Sequence, residues 1–346
     1  MKINLIAIAT LCLSMIAPKN SFQDDNELIG AGSSFDYPLF TKMFADYGST
    51  GIKVNYQSVG SGAGISQLTA KTVDFGATDA PMSGKQDSAL SAPAIHIPVT
   101  AGAVVLSYNL PEVKGTLQLT PGVLADIFLG TITSWNDPKI AAINKGMSLP
   151  ATAILIAHRS DGSGTTNIFT TYLAKVSDQW NSKVGKGSAV NWPGGIGGKG
   201  NEGVAGLIKQ TPGAIGYIEL AYAIQNAMPY ASVQNKAGHF IVPSTASITA
   251  AANIPIPADS KVSLTNTDAA GGYPISGFSW VAVYKEQNYN GRSKTRAANL
   301  IKLISWMIHD GQKFSTPLNY APLSPAAVQV GDALLKSVTY DGKSLK

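Results

Sequence analysis

Length, composition and charge already limit the kinds of protein that this chain can be. Its 346 residues, 45% of them hydrophobic and 14% charged, are enough for two domains with apolar cores and exclude a disordered or fibrous protein. The net charge of +5 is small for this length, and Lys and Arg are not interleaved with aromatic residues, which argues against nucleic-acid binding.

The first 22 residues predict a signal peptide. Met1 and Lys2 provide a short positive start, and residues 3–17 form an uncharged, mostly apolar run of 15 residues. That run is shorter than the about 20 residues of a membrane-spanning helix and fits the apolar core of an export signal. A short buried helix is the alternative interpretation. We expect residues 1–22 to be removed, at a cleavage position left open, and the mature chain to be a soluble periplasmic protein.

The only cysteine, Cys12, lies within this predicted signal peptide. The mature chain would therefore contain neither a disulfide nor a cysteine-ligated metal. Attachment of a lipid at Cys12 is the alternative, but Leu11 stands where such a signal requires a small residue, so we do not expect a lipoprotein. Removal of the segment takes away two lysines and lowers the net charge from +5 to +3, which still favours an anionic ligand.

After this segment, strand-like runs alternate with helix-like stretches, which predicts α/β layers. In chain order, the predicted strands are residues 52–57, 73–77, 154–157, 214–218 and 277–284. The predicted helices are residues 39–47, 61–71, 166–176 and 296–309. We interpret the Gly- and Pro-rich residues 192–200 as a surface loop, and the polar residues 244–267 as a helix-poor, extended excursion.

Four short segments share one design, in which Gly and Ser or Thr follow a strand-like run and precede a helix. They are residues 30–35 (GAGSSF), 59–64 (VGSGAG), 74–81 (DFGATDAP) and 159–166 (RSDGSGTT). A helix N-terminus has unpaired N–H groups and partial positive charge, glycine lets an anion approach the backbone, and hydroxyl groups add donors. Helix capping alone would explain any one segment. Their recurrence favours an oxyanion site without establishing phosphate.

Two charged positions add chemistry to these segments. The forked guanidinium of Arg159 suits an oxyanion, and Asp161 could hold that fork in place, although a surface ion pair is the alternative. Asp79 would repel an anion unless the ligand carries a proton that the carboxylate can accept. Phosphate keeps a proton near neutral pH and sulfate does not, so an Asp79 facing the ligand would select phosphate. The alternative role for Asp79 is to cap a turn before Pro81.

Together these segments resemble the periplasmic phosphate-binding protein of the high-affinity phosphate-specific ABC transporter. The likeness covers essentially the whole mature chain, through GAGSSF, VNYQSVGSGAG, TVDFGATDAP, RSDGSGTT, NWPGGIGGKGNEGVAG and PGAIGYIELAYA in that order. It implies an α/β, type II periplasmic-binding-protein fold, in which two lobes enclose a ligand cleft and hinge strands cross twice between them. Lobe 1 would then comprise residues 23–100 and 273–346, with lobe 2, residues 101–272, inserted between its two parts.

The resemblance also implies which residues contact the ligand. The phosphate-binding residues would be Ser34, Phe35 (through its backbone), Ser61, Asp79, Arg159, Ser163, Gly164 and Thr165. Asp161 would orient Arg159. Ser34 stands where many relatives have Thr, which keeps the hydroxyl group, and His158 stands where relatives often have a second Arg, which leaves the site less positive.

The implied function is that of a receptor without catalytic activity. It would bind inorganic phosphate in the periplasm as a monomer, and deliver it to the membrane permease subunits of a phosphate ABC transporter. No cofactor, metal or nucleic acid is implied.

Three other functions stay open at this point. The first is an enzyme, although the four histidines have no metal-ligand spacing, no serine lies in a G-x-S-x-G elbow, and Gly198-Lys199 is followed by Gly200 instead of the Ser or Thr of a P-loop. The second is a receptor of the same fold for sulfate, molybdate or another oxyanion. The third is an additional role as an adhesin or scavenger.

Overall fold

The structure is a computed structural model that describes residues 24–345. The predicted signal peptide and Cys12 therefore lie outside the described residues. The strands are β1 (Glu27–Gly32), β2 (Lys53–Ser58), β3 (Phe75–Thr78), β4 (Ala94–Tyr108), β5 (Gln118–Leu119), β6 (Leu155–Arg159), β7 (Ile196–Gly198), β8 (Ala214–Glu219), β9 (Ser232–Gln234), β10 (Phe240–Ile241), β11 (Ser276–Tyr284), β12 (Thr339–Tyr340) and β13 (Lys343–Ser344). The helices are α1 (Tyr37–Tyr47), α2 (Ser61–Thr69), α3 (Gly84–Ala89), α4 (Pro121–Phe128), α5 (Pro138–Ile143), α6 (Gly164–Val176), α7 (Asp178–Lys183), α8 (Gly200–Gln210), α9 (Leu220–Gln225), α10 (Thr245–Ala252), α11 (Lys294–Ile308) and α12 (Pro325–Lys336).

One eight-stranded sheet, in the order β2-β1-β3-β11-β4-β8-β6-β7, organises the described chain. The strands at each side are parallel to one another, β1 with β2 and β3, and β6 with β7 and β8. The long central strands are antiparallel to their neighbours. β4 pairs with β11 up to Ala103 and with β8 from Val104 onward. The sheet therefore consists of two parallel groups joined by an antiparallel centre.

The two central strands are buried because helices cover them. Every residue of β11 is buried, as are most residues of β4, and both strands read as nearly continuous apolar or small residues. Helices α6, α8, α9, α10, α11 and α12 pack on β4. A strand covered on both faces has no need of polar alternation, which explains why the sequence shows runs here. Within residues 24–345, no helix is long and apolar enough to cross a membrane.

Most of the predicted elements are confirmed, with ends that differ by a few residues. The ends differ by no more than two residues; α6, for example, begins at Gly164 and not at residue 166. The third Gly- and Ser/Thr-containing segment also differs from the proposed design, because the helix that follows it begins only at Gly84, where Ser83 caps it.

Two predictions about irregular segments are correct only in part, because each segment contains one short element beside residues without regular structure. Residues 192–200 lie mostly at the surface, as predicted, but contain β7, which pairs with β6. Glycine lets the two backbones lie close together, since a Cβ on Gly195 would lie 2.5 Å from the carbonyl oxygen of Ile156 in β6. Residues 244–267 contain the helix α10. The hydroxyl-rich sequence there conceals a capping box, in which Ser244 accepts from the Ser247 N–H at 3.2 Å.

Candidate anion-binding site

The residues predicted for the site come together where β1, β3 and β6 end. Strands β1 and β3 are parallel to each other, whereas β6 belongs to the other parallel group and runs in the opposite direction. The carboxyl ends of the two groups therefore face each other at this site, and ligands commonly bind at such strand ends. Ser34 and Phe35 link β1 to α1, Asp79 follows β3, and Arg159 is the last residue of β6. All of these are buried, as are Ser61, Ser163, Gly164 and Thr165, while Asp161 is half-buried.

The N-termini of α2 and α6 meet across this site. Ser61 Oγ accepts from the Gly164 N–H at 3.1 Å and lies 3.5 Å from Asp79 Oδ2. The Gly62 N–H donates to the Gly162 carbonyl at 2.8 Å. Gly164 must lack a side chain, because a Cβ there would lie 2.5 Å from Asp79 Oδ2. The positive ends of both helices therefore face the Asp79 carboxyl group.

Arg159 is held by a two-pronged ion pair. Its Nε donates to Asp161 Oδ1 at 2.7 Å and its Nη2 to Asp161 Oδ2 at 2.6 Å. Its Nη1 lies 3.3 Å from Thr165 Oγ1. Burial raises the pKa of Asp161, but the hydrogen bonds and charge of Arg159 outweigh it, so the pKa lies below its usual value. Since the Arg159 side chain is 1% exposed, the pair is not a surface ion pair, and it fixes the guanidinium plane.

Asp79 is buried among serine hydroxyl groups. Its Oδ1 accepts from Ser33 Oγ at 2.5 Å and from Ser279 Oγ at 2.9 Å. Burial raises the pKa of Asp79 to about 6, although the hydrogen bonds of both serines and the charge of Arg159 oppose that rise. Near neutral pH, Asp79 is thus mainly an ionised acceptor. Its Oδ1 is occupied by two serines, whereas its Oδ2 accepts only a long hydrogen bond from Ser61 Oγ, at 3.5 Å, and lies beside the N-terminus of α6.

Ser34 is positioned by groups on helices α8 and α9, which pack on β8. Its Oγ accepts from both the backbone N–H and the side-chain amide of Asn201, at 3.0 and 2.9 Å. Its carbonyl accepts from the Tyr222 hydroxyl at 2.7 Å. Because two donors already point at the oxygen, the proton of Ser34 Oγ is left to donate to an anion. Asn201 also donates to Thr165 Oγ1 at 3.2 Å, which leaves that hydroxyl proton available in the same way.

Phe35 and Ser163, two further residues predicted to contact the ligand, are already hydrogen-bonded within the protein. The Phe35 N–H donates to Ser33 Oγ at 2.9 Å, and the Phe35 carbonyl accepts from the Tyr320 hydroxyl at 2.6 Å. Ser163 Oγ caps α6 by accepting from the Thr166 N–H at 3.0 Å. His158 stacks on Trp192 with ring centroids 5.0 Å apart.

Sequence reasoning missed several residues that build the site. Ser33 and Asn201 fall inside the motifs GAGSSF and NWPGGIGGKGNEGVAG, so the motifs contain the signal. Ser279 carried no local signal, because it lies in an apolar strand. It reaches Asp79 since Trp280 pairs with Thr78, which places the preceding residue of β11 beside the residue that follows β3.

A groove of about 630 Å³ borders the site beside Ser61 and Asp79. Helices α2 and α6, strand β11 and the loops of residues 186–189 and 261–265 line it. In the part of the chain that the structure describes, no group of three or more His, Cys, Asp or Glu residues could hold a metal ion. The arrangement provides many donors and one buried acceptor, which suits an oxyanion that carries a proton.

Known proteins similar to this chain were found by sequence and by structure. A model of the PBP superfamily domain matches residues 17–310. The phosphate-binding protein PstS of Xylella fastidiosa is 44% identical over 308 residues, which cover 88% of this chain and 83% of the relative. PstS of Pasteurella multocida is 43% identical over 325 residues, which cover 92% of this chain and 93% of the relative.

The solved structure of a high affinity periplasmic phosphate-binding protein bound with phosphate is also similar. Its TM-score is 0.70 at 20% identity, with coverage of 89% of this chain and 93% of that one. At this identity the likeness concerns the fold alone. It confirms the predicted α/β, type II periplasmic-binding-protein fold.

Proposed function

This chain belongs to the PstS family of phosphate-binding proteins, and on that premise we propose that it binds inorganic phosphate between α2 and α6. It acts in the periplasm as a monomeric receptor without catalytic activity, and it delivers phosphate to the membrane permease subunits of an ABC importer. The relatives carry the names of phosphate-binding proteins, which supports a transport role over an enzymatic one.

The observation that carries this proposal is the single ionised acceptor among the donors. Arg159 and the N-terminus of α6 supply positive charge, and the Ser34 and Thr165 hydroxyl groups supply donors. Asp79 Oδ2 then accepts a proton that the ligand still carries. Hydrogen phosphate has such a proton and sulfate does not, so the same carboxylate attracts one ligand and repels the other.

The ligand contacts belong to two lobes that close on each other. We assign residues 23–100 and 273–346 to lobe 1 and residues 101–272 to lobe 2. The change of partner along β4, from β11 to β8 after Ala103, supports a boundary in this region. The bonds from Gly164 to Ser61 and from Asn201 to Ser34 then join the lobes and stabilise the closed form, which opens by a hinge motion.

Titration calorimetry of phosphate-free protein with phosphate and with sulfate tests the proposal. We expect tight binding of phosphate and no binding of sulfate at about pH 8, where Asp79 is ionised. Tight sulfate binding with none of phosphate would refute the proposed ligand. Sustained turnover of a chromogenic phosphate ester would refute the receptor role, and Arg159→Ala serves as the control for binding at this site.

A further inference from the structure

A second buried carboxyl group, that of Asp36, is linked to Asp79 through one serine hydroxyl. Asp36 is 0% exposed and stands at the N-cap of α1, yet its side chain caps no helix N–H. Its Oδ2 instead accepts a short hydrogen bond from Ser279 Oγ. Among residues 24–345, Asp36 Oδ1 has no hydrogen-bond partner. An ionised carboxylate in this position would be costly, because a single hydroxyl donor is all that faces it.

The hydroxyl of Ser279 has too few protons for two ionised neighbours. Its Oγ contacts Asp36 Oδ2, Asp79 Oδ1 at 2.9 Å and the Thr78 carbonyl at 3.3 Å. If both carboxyl groups were ionised, all three contacts would be acceptors competing for one proton. A proton on Asp36 removes the conflict, since Asp36 then donates to Ser279 Oγ and Ser279 donates to Asp79 Oδ1.

The charges around Asp36 indicate which of the two carboxyl groups holds this proton. Burial raises the pKa of Asp36 well above its usual value, and the charge of Asp79 raises it further, against the hydrogen bond from Ser279. The titratable groups whose charges couple to Asp36 are acids and phenols: Asp79, Glu219, Tyr56, Tyr222 and Tyr320. Asp79 differs, because the charge of Arg159 acts on it.

We propose that Asp36 is a specificity-determining residue of the phosphate site, which holds a proton and, through Ser279, keeps Asp79 ionised with Oδ2 open to the ligand. This inference rests on the proposed function. An ionised Asp36 would place a second negative charge behind Asp79 and drive a proton onto it. Asp79 would then be a donor, and the site would admit sulfate. The proton on Asp36 therefore maintains the preference for an anion that carries its own proton.

Two substitutions at Asp36 test this role, with phosphate and sulfate affinities measured by calorimetry at about pH 7.5. Asp36→Asn replaces the acid O–H by an amide N–H that also donates to Ser279, so both affinities stay within about twofold of wild type. Asp36→Ala removes the donor and lets the Ser279 hydroxyl turn to the Thr78 carbonyl. Phosphate affinity then falls about tenfold, as for the loss of one hydrogen bond to a charged group. Asp46→Asn, at an exposed position of the same helix, is the matched control.

An ionised Asp36 would predict the opposite change in phosphate affinity. If Asp36 were ionised, both substitutions would remove a negative charge near the anion and both would tighten phosphate binding, which would overturn the inference. Wild-type protein gives a direct measurement by NMR of ¹³C-labelled aspartate carboxyl groups, with Asp36→Asn providing the assignment. We expect the Asp36 signal to stay that of a protonated acid at pH 7. An ionised Asp36 in a protein that binds phosphate overturns this inference alone, whereas failure to bind phosphate overturns the proposed function with it.

Discussion

Strand β3 is flanked by a buried aspartate at each end, and the two aspartates have different hydrogen-bond partners. Asp74, before the strand, accepts two hydrogen bonds from Arg296 and pairs with Arg292 Nη1 at 2.7 Å. Asp79, after the strand, takes its hydrogen bonds from serine hydroxyl groups. Both carboxyl groups are almost wholly removed from solvent.

This difference separates a structural carboxylate from one that can recognise a ligand. Guanidinium groups cancel the charge of Asp74 permanently, so nothing further is needed to stabilise it. Hydroxyl groups orient Asp79 without cancelling its charge, and burial therefore raises its pKa to about 6. A buried carboxylate that lacks a full countercharge is poised to accept a proton, and the ligand can supply one.

The largest effect is expected from breaking the pair at the first end of β3. Asp74→Asn leaves Arg292 and Arg296 buried without a countercharge, which should cost about 3–5 kcal/mol of the free energy of unfolding. Denaturant unfolding measures this loss. Phosphate affinity of the folded variant should be unchanged, because the site lies at the other end of the strand.

The control for this prediction is Asp87→Asn. Asp87 pairs with Lys261 at 3.3 Å in an exposed ion pair, so its loss should change the free energy of unfolding by no more than about 1 kcal/mol. Equal effects at Asp74 and Asp87 would contradict the structural role assigned to Asp74.

Asp79→Asn tests the other end of β3. The amide can donate to a fully deprotonated oxyanion but cannot accept the ligand's proton as a charged group does, so phosphate binding should weaken by about 1.5–3 kcal/mol. Sulfate binding should strengthen. An unchanged ratio of phosphate to sulfate affinity, measured by calorimetry, would show that Asp79 does not contact the ligand.

The same variant should affect stability in the opposite direction from Asp74→Asn. The pKa of Asp79 is raised on folding from 3.8 to about 6, so the unfolded chain loses its proton first and stability falls as pH rises between these values. Above about pH 6 the ionised Asp79 lowers the free energy of unfolding by its full amount, and Asn, which carries no charge, removes this loss. The unfolding midpoint of Asp79→Asn at pH 7.5 should therefore be higher than that of wild type. A lower midpoint would argue against this assignment.

Close packing at Asp79 provides the next test. Gly164→Ala places a Cβ 2.5 Å from Asp79 Oδ2, and the overlap should weaken phosphate binding by about 1–3 kcal/mol, measured by calorimetry. Gly206→Ala is the matched control, because its Cβ meets nothing within 4 Å in α8 and should slightly stabilise the protein. Equal phosphate affinities of the two variants would contradict the close approach of Gly164 to Asp79.

The last test concerns the titration of Asp79, for which the expected change in sulfate affinity is gradual with pH. Sulfate can bind only when Asp79 is protonated, so its affinity should rise about tenfold for each unit as pH falls from 8 to 6 and level off below the pKa of about 6. Sulfate does not itself titrate in this range, so calorimetry at several pH values reports on the protein. In Asp79→Asn, the slope should disappear; a slope that persists there would assign the titration to another group.

Much of the fold could be predicted because its signals are local. The helix over residues 61–71 and the buried strand over residues 277–284 follow from the spacing of apolar residues. β7 could not be predicted in this way, because glycines carry no hydrophobic pattern and the strand exists through pairing with β6. The identity of pairing partners depends on contacts between distant parts of the chain.

In the site, too, contacts between residues close in sequence could be predicted and contacts between distant residues could not. Arg159 and Asp161 are two residues apart, so their pairing could be inferred from spacing and chemistry. Ser279 and Asp79 are 200 positions apart, and Asp36 is 243 positions from Ser279. No periodicity or motif connects residues at such separations. The antiparallel pairing of β11 with β3 places Ser279 beside Asp79, and the pairing of β1 with β3 brings Asp36, which follows β1, to the same place.

The residues alone favour oxyanion chemistry, since glycines, hydroxyl residues and an arginine at helix starts act through their own local geometry. Family likeness then identified phosphate and the type II fold. Only the tertiary structure determines which partners surround each buried carboxyl group. Asp36, Asp74 and Asp79 are the same residue type and are all buried, but folding places a serine hydroxyl beside the first, two arginines beside the second and several serine hydroxyl groups beside the third.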